Sequence, residues 1–338
     1  MTSRERVIRT LRHEEVDRFP RNLWVLPNVP MFVPDDFRRL VQAFPQDFDG
    51  ADMAYGASRY SKGVPNEVGF YTDEFGSVWR VGEPGVAGEV CEPVLKDWSR
   101  LDSYKMPWEI IEHADLSRVN AGCAATDKFV FAGSHVRPFE RLQFLRGTED
   151  LLMDLAYGDA KLLKLIDMVR EFECRELEML VRTDVDGITF MDDWGSQVSL
   201  LISPSLWREI FKPLYKEYVG IMHAKGKYAF FHSDGFIEAI YPDLIEIGID
   251  AVNSQLFCMD IEKLAGLYGD KLTFWGEIDR QHILQFGSED DVKKAVDRVA
   301  SAVMRKNGKR TGAIAQCEWN ATNPYENIAA VFGRWAEK

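Results

Sequence analysis

The chain has 338 residues, 46% of them hydrophobic and 28% charged, which is typical of a globular protein with a sizeable core. Its formal net charge of -13 is repelled by nucleic-acid backbones and anionic membrane surfaces, so we expect neither as a partner. The five cysteines form no CxxC pair and no stretch is apolar for the ~18–20 residues of a membrane span, which predicts a reduced, cytoplasmic protein.

The first hundred residues predict an irregular region at the start of one domain that spans residues 1–338. A short helix is expected over residues 3–12 and a first strand near residues 22–25. Residues 27–110 are rich in proline, glycine and aromatic side chains and contain a hairpin-like stretch at 74–91. We interpret 27–110 as a cap over one end of the fold.

From residue 128 onward, short apolar runs alternate with helical periodicity, which indicates parallel strands joined by crossover helices. A (β/α)8 TIM barrel is the preferred fold, and an open doubly wound sheet is the alternative. The absence of a GxGxxG motif after the first strand weakens the dinucleotide-binding form of that alternative. The predicted strands are 128–132, 187–191, 227–232, 250–253, 272–276 and 312–316, and the predicted helices are 138–156, 160–182, 204–225, 236–246, 260–268, 289–306 and 324–336.

Four side chains able to bind a metal follow three of these apolar runs: His232, Asp234, Glu277 and Cys317. Because the carboxyl ends of parallel strands share one rim of a barrel, residues far apart in sequence can meet there. Imidazole, carboxylate and thiolate groups at such a rim are the usual ligands of a catalytic Zn²⁺ site. Each residue alone has a simpler explanation, such as a loop histidine, a surface turn or a buried thiol, so the prediction depends on their joint placement.

Other residues at the same strand ends are candidates for contact with a substrate. Asp192 and Asp193 could bind a cation, position a hydroxyl group or act as a base, or could instead cap a helix and face solvent. Asn253 and Gln255 could donate hydrogen bonds to a substrate, although a structural role is favoured for both. Aromatic side chains could form the walls of a site or pack in the core: Trp24, Trp194, Phe257 and Trp319.

The sequence also resembles a known superfamily over nearly its whole length. The resemblance lies at residues 2–7, 13–20, 73–76, 192–195 (Asp-Asp-Trp-Gly), 231–235 (Phe-His-Ser-Asp-Gly), 242–248, 269–276 and 323–328. These segments resemble the uroporphyrinogen decarboxylase superfamily, which implies a distorted (β/α)8 barrel. One branch of it decarboxylates a tetrapyrrole without a cofactor, and another contains zinc-dependent methyltransferases that exchange methyl groups with a corrinoid protein.

The resemblance is closer to the methyltransferase branch. True decarboxylases carry an arginine-rich N-terminal signature, whereas residues 21–27 here contain a single arginine. The methyltransferases bind zinc through a His-X-Cys pair and a distant cysteine. His232 and Cys317 match two of these positions, Asp234 occupies the third, and Glu277 is a candidate replacement.

The resemblance therefore implies a zinc-dependent methyltransferase. It would move a methyl group from a small methylated substrate, such as a methoxy-aromatic compound, to the cob(I)alamin of a partner corrinoid protein. Asp192, Asp193 and Asp234 would position the substrate or transfer a proton, and a homodimer is allowed. A cofactor-free decarboxylase and a non-catalytic barrel that binds a small molecule remain as alternatives.

Overall fold

A computed structural model describes residues 1–304 and 308–338 of the protein, and these residues contain a barrel and a small separate sheet. The strands are β1 (Arg21–Val25), β2 (Phe48–Gly50), β3 (Gly69–Thr72), β4 (Val78–Val81), β5 (Glu89–Glu92), β6 (Phe129–Gly133), β7 (Gly187–Met191), β8 (Tyr228–Ser233), β9 (Ala251–Ser254), β10 (Thr273–Trp275) and β11 (Ala313–Trp319).

The helices follow the strands as crossover connections and cap-region elements. They are α1 (Ser3–Leu11), α2 (Asn28–Phe32), α3 (Pro34–Ala43), α4 (Glu109–Glu112), α5 (Val119–Ala125), α6 (Pro138–Arg146), α7 (Thr148–Tyr157), α8 (Ala160–Leu180), α9 (Pro204–His223), α10 (Tyr241–Ile247), α11 (Ile261–Tyr268), α12 (Ile283–Phe286), α13 (Glu289–Met304) and α14 (Tyr325–Ala336). No helix within residues 1–304 and 308–338 combines the length and apolar character needed to cross a membrane.

Eight parallel strands form a nearly closed barrel, which confirms the predicted fold class. Their order is β1-β11-β10-β9-β8-β7-β6-β2. Asp47, just before β2, joins the two ends of this sheet: its backbone N–H donates to the Arg21 carbonyl at 3.0 Å, and its carboxylate accepts from the Arg21 N–H at 2.7 Å. All carboxyl strand ends therefore lie on one rim, as the sequence argument requires.

Two apolar clusters occupy the two faces of the barrel sheet. The interior cluster contains strand residues such as Phe230, Trp275 and Ile314, together with Val7 and Leu11 of α1. The larger cluster fills the layer between the sheet and the surrounding helices. Side chains alternate between these faces along each strand, so a residue and its neighbour enter different environments.

Several elements differ from the sequence prediction for local reasons. The helix predicted at 138–156 is two helices, α6 and α7, because Gly147 between them adopts a φ of 90° that ends the first. Strand β2 lies within the segment predicted to be cap. The hairpin-like stretch is a three-stranded antiparallel sheet, β3-β4-β5, that packs on α6. The predicted helix at 289–306 is observed to Met304, and positions 305 and 306 lie outside the described residues.

Candidate metal centre

His232 faces the interior of the barrel near the carboxyl end of β8. Phe230, two residues earlier, belongs to the interior cluster, so strand alternation directs the imidazole to the same side. The Asn253 side chain donates to the Trp275 carbonyl, which leaves its Oδ1 as an acceptor 2.7 Å from His232 Nδ1. His232 therefore carries a proton on Nδ1 and directs Nε2 towards the rim.

Two carboxylates converge on this nitrogen from the ends of β7 and β8. His232 Nε2 lies 3.4 Å from Asp193 Oδ1 and 3.4 Å from Asp234 Oδ1. The Asp234 backbone N–H donates to Asp193 Oδ1 at 2.8 Å, which fixes the two carboxylates relative to each other. One ligand atom from each of these three residues lies within 4.8 Å of the other two.

The spacing of these atoms fits a four-coordinate divalent metal. Ligand atoms about 2.1 Å from a tetrahedral zinc ion are about 3.4 Å apart, which matches both distances from Nε2. Asp234 Oδ1 is buried and has no hydrogen-bond partner among the described residues, so one acceptor in the group is unsatisfied. Nitrogen and oxygen ligands of this kind suit zinc. The donor set thus fits a zinc ion.

Arg280 holds the other side of Asp234. Its guanidinium makes ion pairs with Asp234 Oδ2 and, at 2.8 Å, with Glu318 Oε1, and it lies 3.8 Å from Glu277 Oε1. Fixing Oδ2 in this way leaves Oδ1 directed at His232, which orients Asp234 as a ligand.

Burial and neighbouring charges have opposing effects on the pKa values of both His232 and Glu277. Burial disfavours the charged imidazole, but the nearby Asp193 and Asp234 carboxylates outweigh it and raise the pKa of His232 to about 9. Burial raises the pKa of Glu277 to about 8 against the opposing effect of Arg280. The two carboxylates therefore favour positive charge at His232, and burial keeps Glu277 as a neutral acid near neutral pH.

Cys317 is placed differently from the expectation. It is fully buried in the layer between the sheet and the helices, whereas its neighbour Glu318 reaches Arg280 at the rim. Consecutive strand residues face opposite sides of the sheet, so Cys317 and His232 do not share a face. Burial also raises the pKa of the Cys317 thiol, which disfavours the thiolate that binds metals.

The structure thus brings together part of the expected zinc ligand set. His232 and Asp234 meet, Asp193 joins them, and Cys317 does not. Glu277 contacts Arg280 and is outside the three-residue group.

Asp192 and two of the candidate aromatic residues, Trp194 and Trp319, are buried on the helix side of the barrel sheet. The Asp192 carboxylate accepts hydrogen bonds from the first backbone N–H groups of α6, at Phe139 (2.8 Å) and Glu140 (2.7 Å), so it caps that helix. Trp194 is fully buried and stacks on Phe139 at 4.2 Å. Trp319 is buried in the same helix–sheet layer as Cys317. A structural role accounts for the contacts of all three.

The remaining candidates lie around the metal-capable group. The Trp24 ring is 4.8 Å from the His232 ring and helps to form the floor below it. Gln255 and Phe257 line a small cleft of about 70 Å³. Its lining residues are Gln197, Gln255, Phe257, Cys258, Glu277, Asp279, Arg280, Gln281 and His282.

Two residues of the rim, Arg280 and Glu318, are absent from the site predicted from the sequence. Arg280 lies in the loop after β10, and nothing in its local sequence distinguishes it from a surface arginine. Glu318 had a signal: it is four residues after Ile314, and the period of a strand places the two on one face. Phasing β11 by its interior residues would have selected Glu318 in preference to Cys317.

Comparisons with known proteins agree with this architecture. The family model for uroporphyrinogen decarboxylase (URO-D) matches residues 88–335, and the chain belongs to this family. The search of curated proteins gave no match. Among solved structures, a methyltransferase from Methanosarcina mazei is similar over 100% of this chain and 99% of its own, with 15% identity and a TM-score of 0.69. An endo-beta-1,4-xylanase from Gloeophyllum trabeum is similar over 96% of this chain and 98% of its own, with 9% identity and a TM-score of 0.44.

Proposed function

We propose that this protein is a zinc-dependent methyltransferase. It takes a methyl group from a small donor in which the methyl is bonded to oxygen and passes it to the cob(I)alamin of a separate corrinoid protein. The observation that carries this proposal is the Asp193–His232–Asp234 group, spaced for one metal ion at the barrel rim. The fold likeness to a methyltransferase over the full chain is consistent with it.

The residues of the chain have distinct tasks in this reaction. Bound to the three-residue group, Zn²⁺ would supply Lewis-acid polarisation of the donor oxygen. Asn253 and Arg280 hold His232 and Asp234 in their binding orientations. In the proposed transfer the C–O bond would break with its electron pair kept by oxygen, the methyl group would pass to the electron pair of cob(I)alamin, and Glu277 would provide the proton that the departing oxygen takes.

The charge of the rim argues against the decarboxylase alternative. A substrate with many carboxylates requires a basic pocket, but here Asp234, Glu277 and Glu318 lie around the guanidinium of Arg280, and Asp193 adds a further acid at His232. Arg280 is already engaged with three of these acids, so it is poorly placed to bind a further carboxylate.

Metal content and methyl transfer test the proposal together. We expect the purified protein to hold about one zinc ion per chain by elemental analysis. Mixing it with a reduced corrinoid protein and a neutral methyl ether is expected to convert the cob(I)alamin absorbance to that of methylcobalamin, and removing the metal with a chelator is expected to abolish this conversion. Full activity in metal-free protein would refute the proposal, and a metal-containing protein that transfers a methyl group from none of the donors would favour a binding function.

A further inference from the structure

Gln316 occupies a middle position inside the barrel, between its apolar floor and its charged rim. On β11, Ile314 belongs to the interior cluster and Glu318 reaches Arg280 at the rim. Gln316 lies between them on the same face because side chains alternate along the strand. It is fully buried.

The amide of Gln316 is unsatisfied on both sides. Neither Oε1 nor Nε2 has a hydrogen-bond partner among residues 1–304 and 308–338. Two other buried amides are bonded: Asn253 holds His232, and Asn327 donates to the Leu284 and Gly287 carbonyls at 3.1 and 2.9 Å. Burying a donor and an acceptor without partners is costly, so a folded protein that keeps such a group needs another reason for it.

The amide packs against the residue that precedes Glu277, one of the residues that line the cleft. Its oxygen packs so closely on Gly276 that any side chain at that position would collide with it. Gly276 directly precedes Glu277, which lines the cleft. Gln316 has three rotatable side-chain bonds, so its amide is free to turn from Gly276 towards the side of Glu277.

The chemistry of the amide and its surroundings selects the group that it binds. An amide that offers one acceptor and one donor in the same place matches a hydroxyl group, which both donates and accepts. A carboxylate could only accept, and it would be repelled by the Asp234 and Glu318 carboxylates nearby.

We propose that Gln316 is a specificity residue that binds a hydroxyl group next to the methyl ether of the substrate. This inference rests on the proposed function. It assigns the substrate to the class of small, neutral, hydroxylated methyl ethers. A site built to bind a hydroxyl group discriminates strongly against an analogue without one, because its own polar groups are then left unpaired.

Thermal unfolding and binding test the assignment in the isolated protein, without methyl transfer. The near-isosteric variant Gln316→Met removes the unsatisfied amide, so its melting temperature without ligand is expected to rise by about 2–4 °C. The matched control Asn327→Leu removes a satisfied buried amide and is expected to melt lower than the wild type. A Gln316→Met variant that melts at a lower temperature than the wild type and binds 2-methoxyphenol equally well would show that the amide is structural.

Calorimetric binding of 2-methoxyphenol, methoxybenzene and 4-methoxybenzoate tests the substrate class. The wild type is expected to bind 2-methoxyphenol at least about 10-fold more tightly than the other two. In Gln316→Met the preference over methoxybenzene is expected to fall to about 2-fold or less. Equal binding of all three compounds, or no binding of 2-methoxyphenol, by the wild type would overturn the assignment. Selective binding without transfer to a corrinoid protein would refute the proposed function alone.

Discussion

The carboxyl ends of β8 and β11 each carry a side chain able to bind a metal, but they present it to opposite faces of the barrel sheet. Each strand is an apolar run that leads to a residue able to bind a metal, His232 in one and Cys317 in the other. His232 enters the interior with Asp193 and Asp234, whereas Cys317 enters the layer between sheet and helices.

This difference shows that position at a strand end does not define a ligand by itself. Because side chains alternate with a period of two, a shift of one residue moves a side chain from the interior to the helix layer. The charged side chains of the site lie at the interior rim, whereas Cys317 lies among apolar side chains in the helix layer.

The largest expected difference is in metal content. His232→Ala removes the only nitrogen ligand of the three-residue group, so we expect zinc in the purified variant to fall below about a tenth of the wild-type value. Cys317→Ala changes only the helix layer and is expected to keep wild-type zinc. Elemental analysis of both proteins measures this. Loss of zinc in Cys317→Ala with retention in His232→Ala would reverse the assignment of the two faces.

A smaller effect is expected from the residue that orients His232. Asn253→Ala removes the oxygen that accepts the hydrogen bond from His232 Nδ1, which frees the imidazole ring to rotate. The zinc affinity is therefore expected to fall about 10–100-fold. Ser254→Ala is the matched control, because Ser254 is the next residue on β9 and its hydroxyl contacts Tyr241 at 2.6 Å on the helix side. Competition with a zinc-chelating dye gives both affinities, and equal losses in the two variants would argue against a role specific to the interior face.

These comparisons also show why the sequence predicts the fold better than the site. The apolar runs of β6 to β11 and the helical periodicity between them follow from burial, which each segment shows locally. The site depends on which residues of each strand face the interior and on a loop that is distant in sequence. Predicting Glu318 requires knowing which residues of β11 face the interior, and predicting Arg280 requires the path of the chain after β10. His232 and Asp234 were predicted because both belong to one short segment.

The helix layer is expected to show its own pH dependence through Glu173 of α8. Burial raises its pKa to about 8, although the Tyr218 hydroxyl and the Arg137 N–H donate to it at 2.6 and 2.9 Å. The folded state therefore binds a proton more tightly than the unfolded chain. Its contribution to stability is fully present below pH 4.5 and is lost as pH rises to about 8.

The variant Glu173→Gln removes this titration while keeping the shape of the side chain. The free energy of unfolding of the wild type, relative to this variant, is expected to fall by at most about 1.4 kcal/mol per pH unit between pH 5 and 8. Urea unfolding at several pH values measures the difference. If that difference stays constant across the range, the carboxyl group is already ionised in the folded protein.

The smallest expected effect is on the free energy of unfolding, and it tests which face of the sheet Cys317 occupies. In the apolar helix layer, Cys317→Ser places a hydroxyl group without a partner among apolar side chains, while Cys317→Ala leaves only a small gap. We therefore expect the serine variant to unfold more easily than the alanine variant by about 1 kcal/mol in urea. On the interior face, serine would find polar partners and would be tolerated at least as well as alanine. A serine variant as stable as the alanine variant would thus place Cys317 on the polar side of the sheet and restore it as a candidate metal ligand.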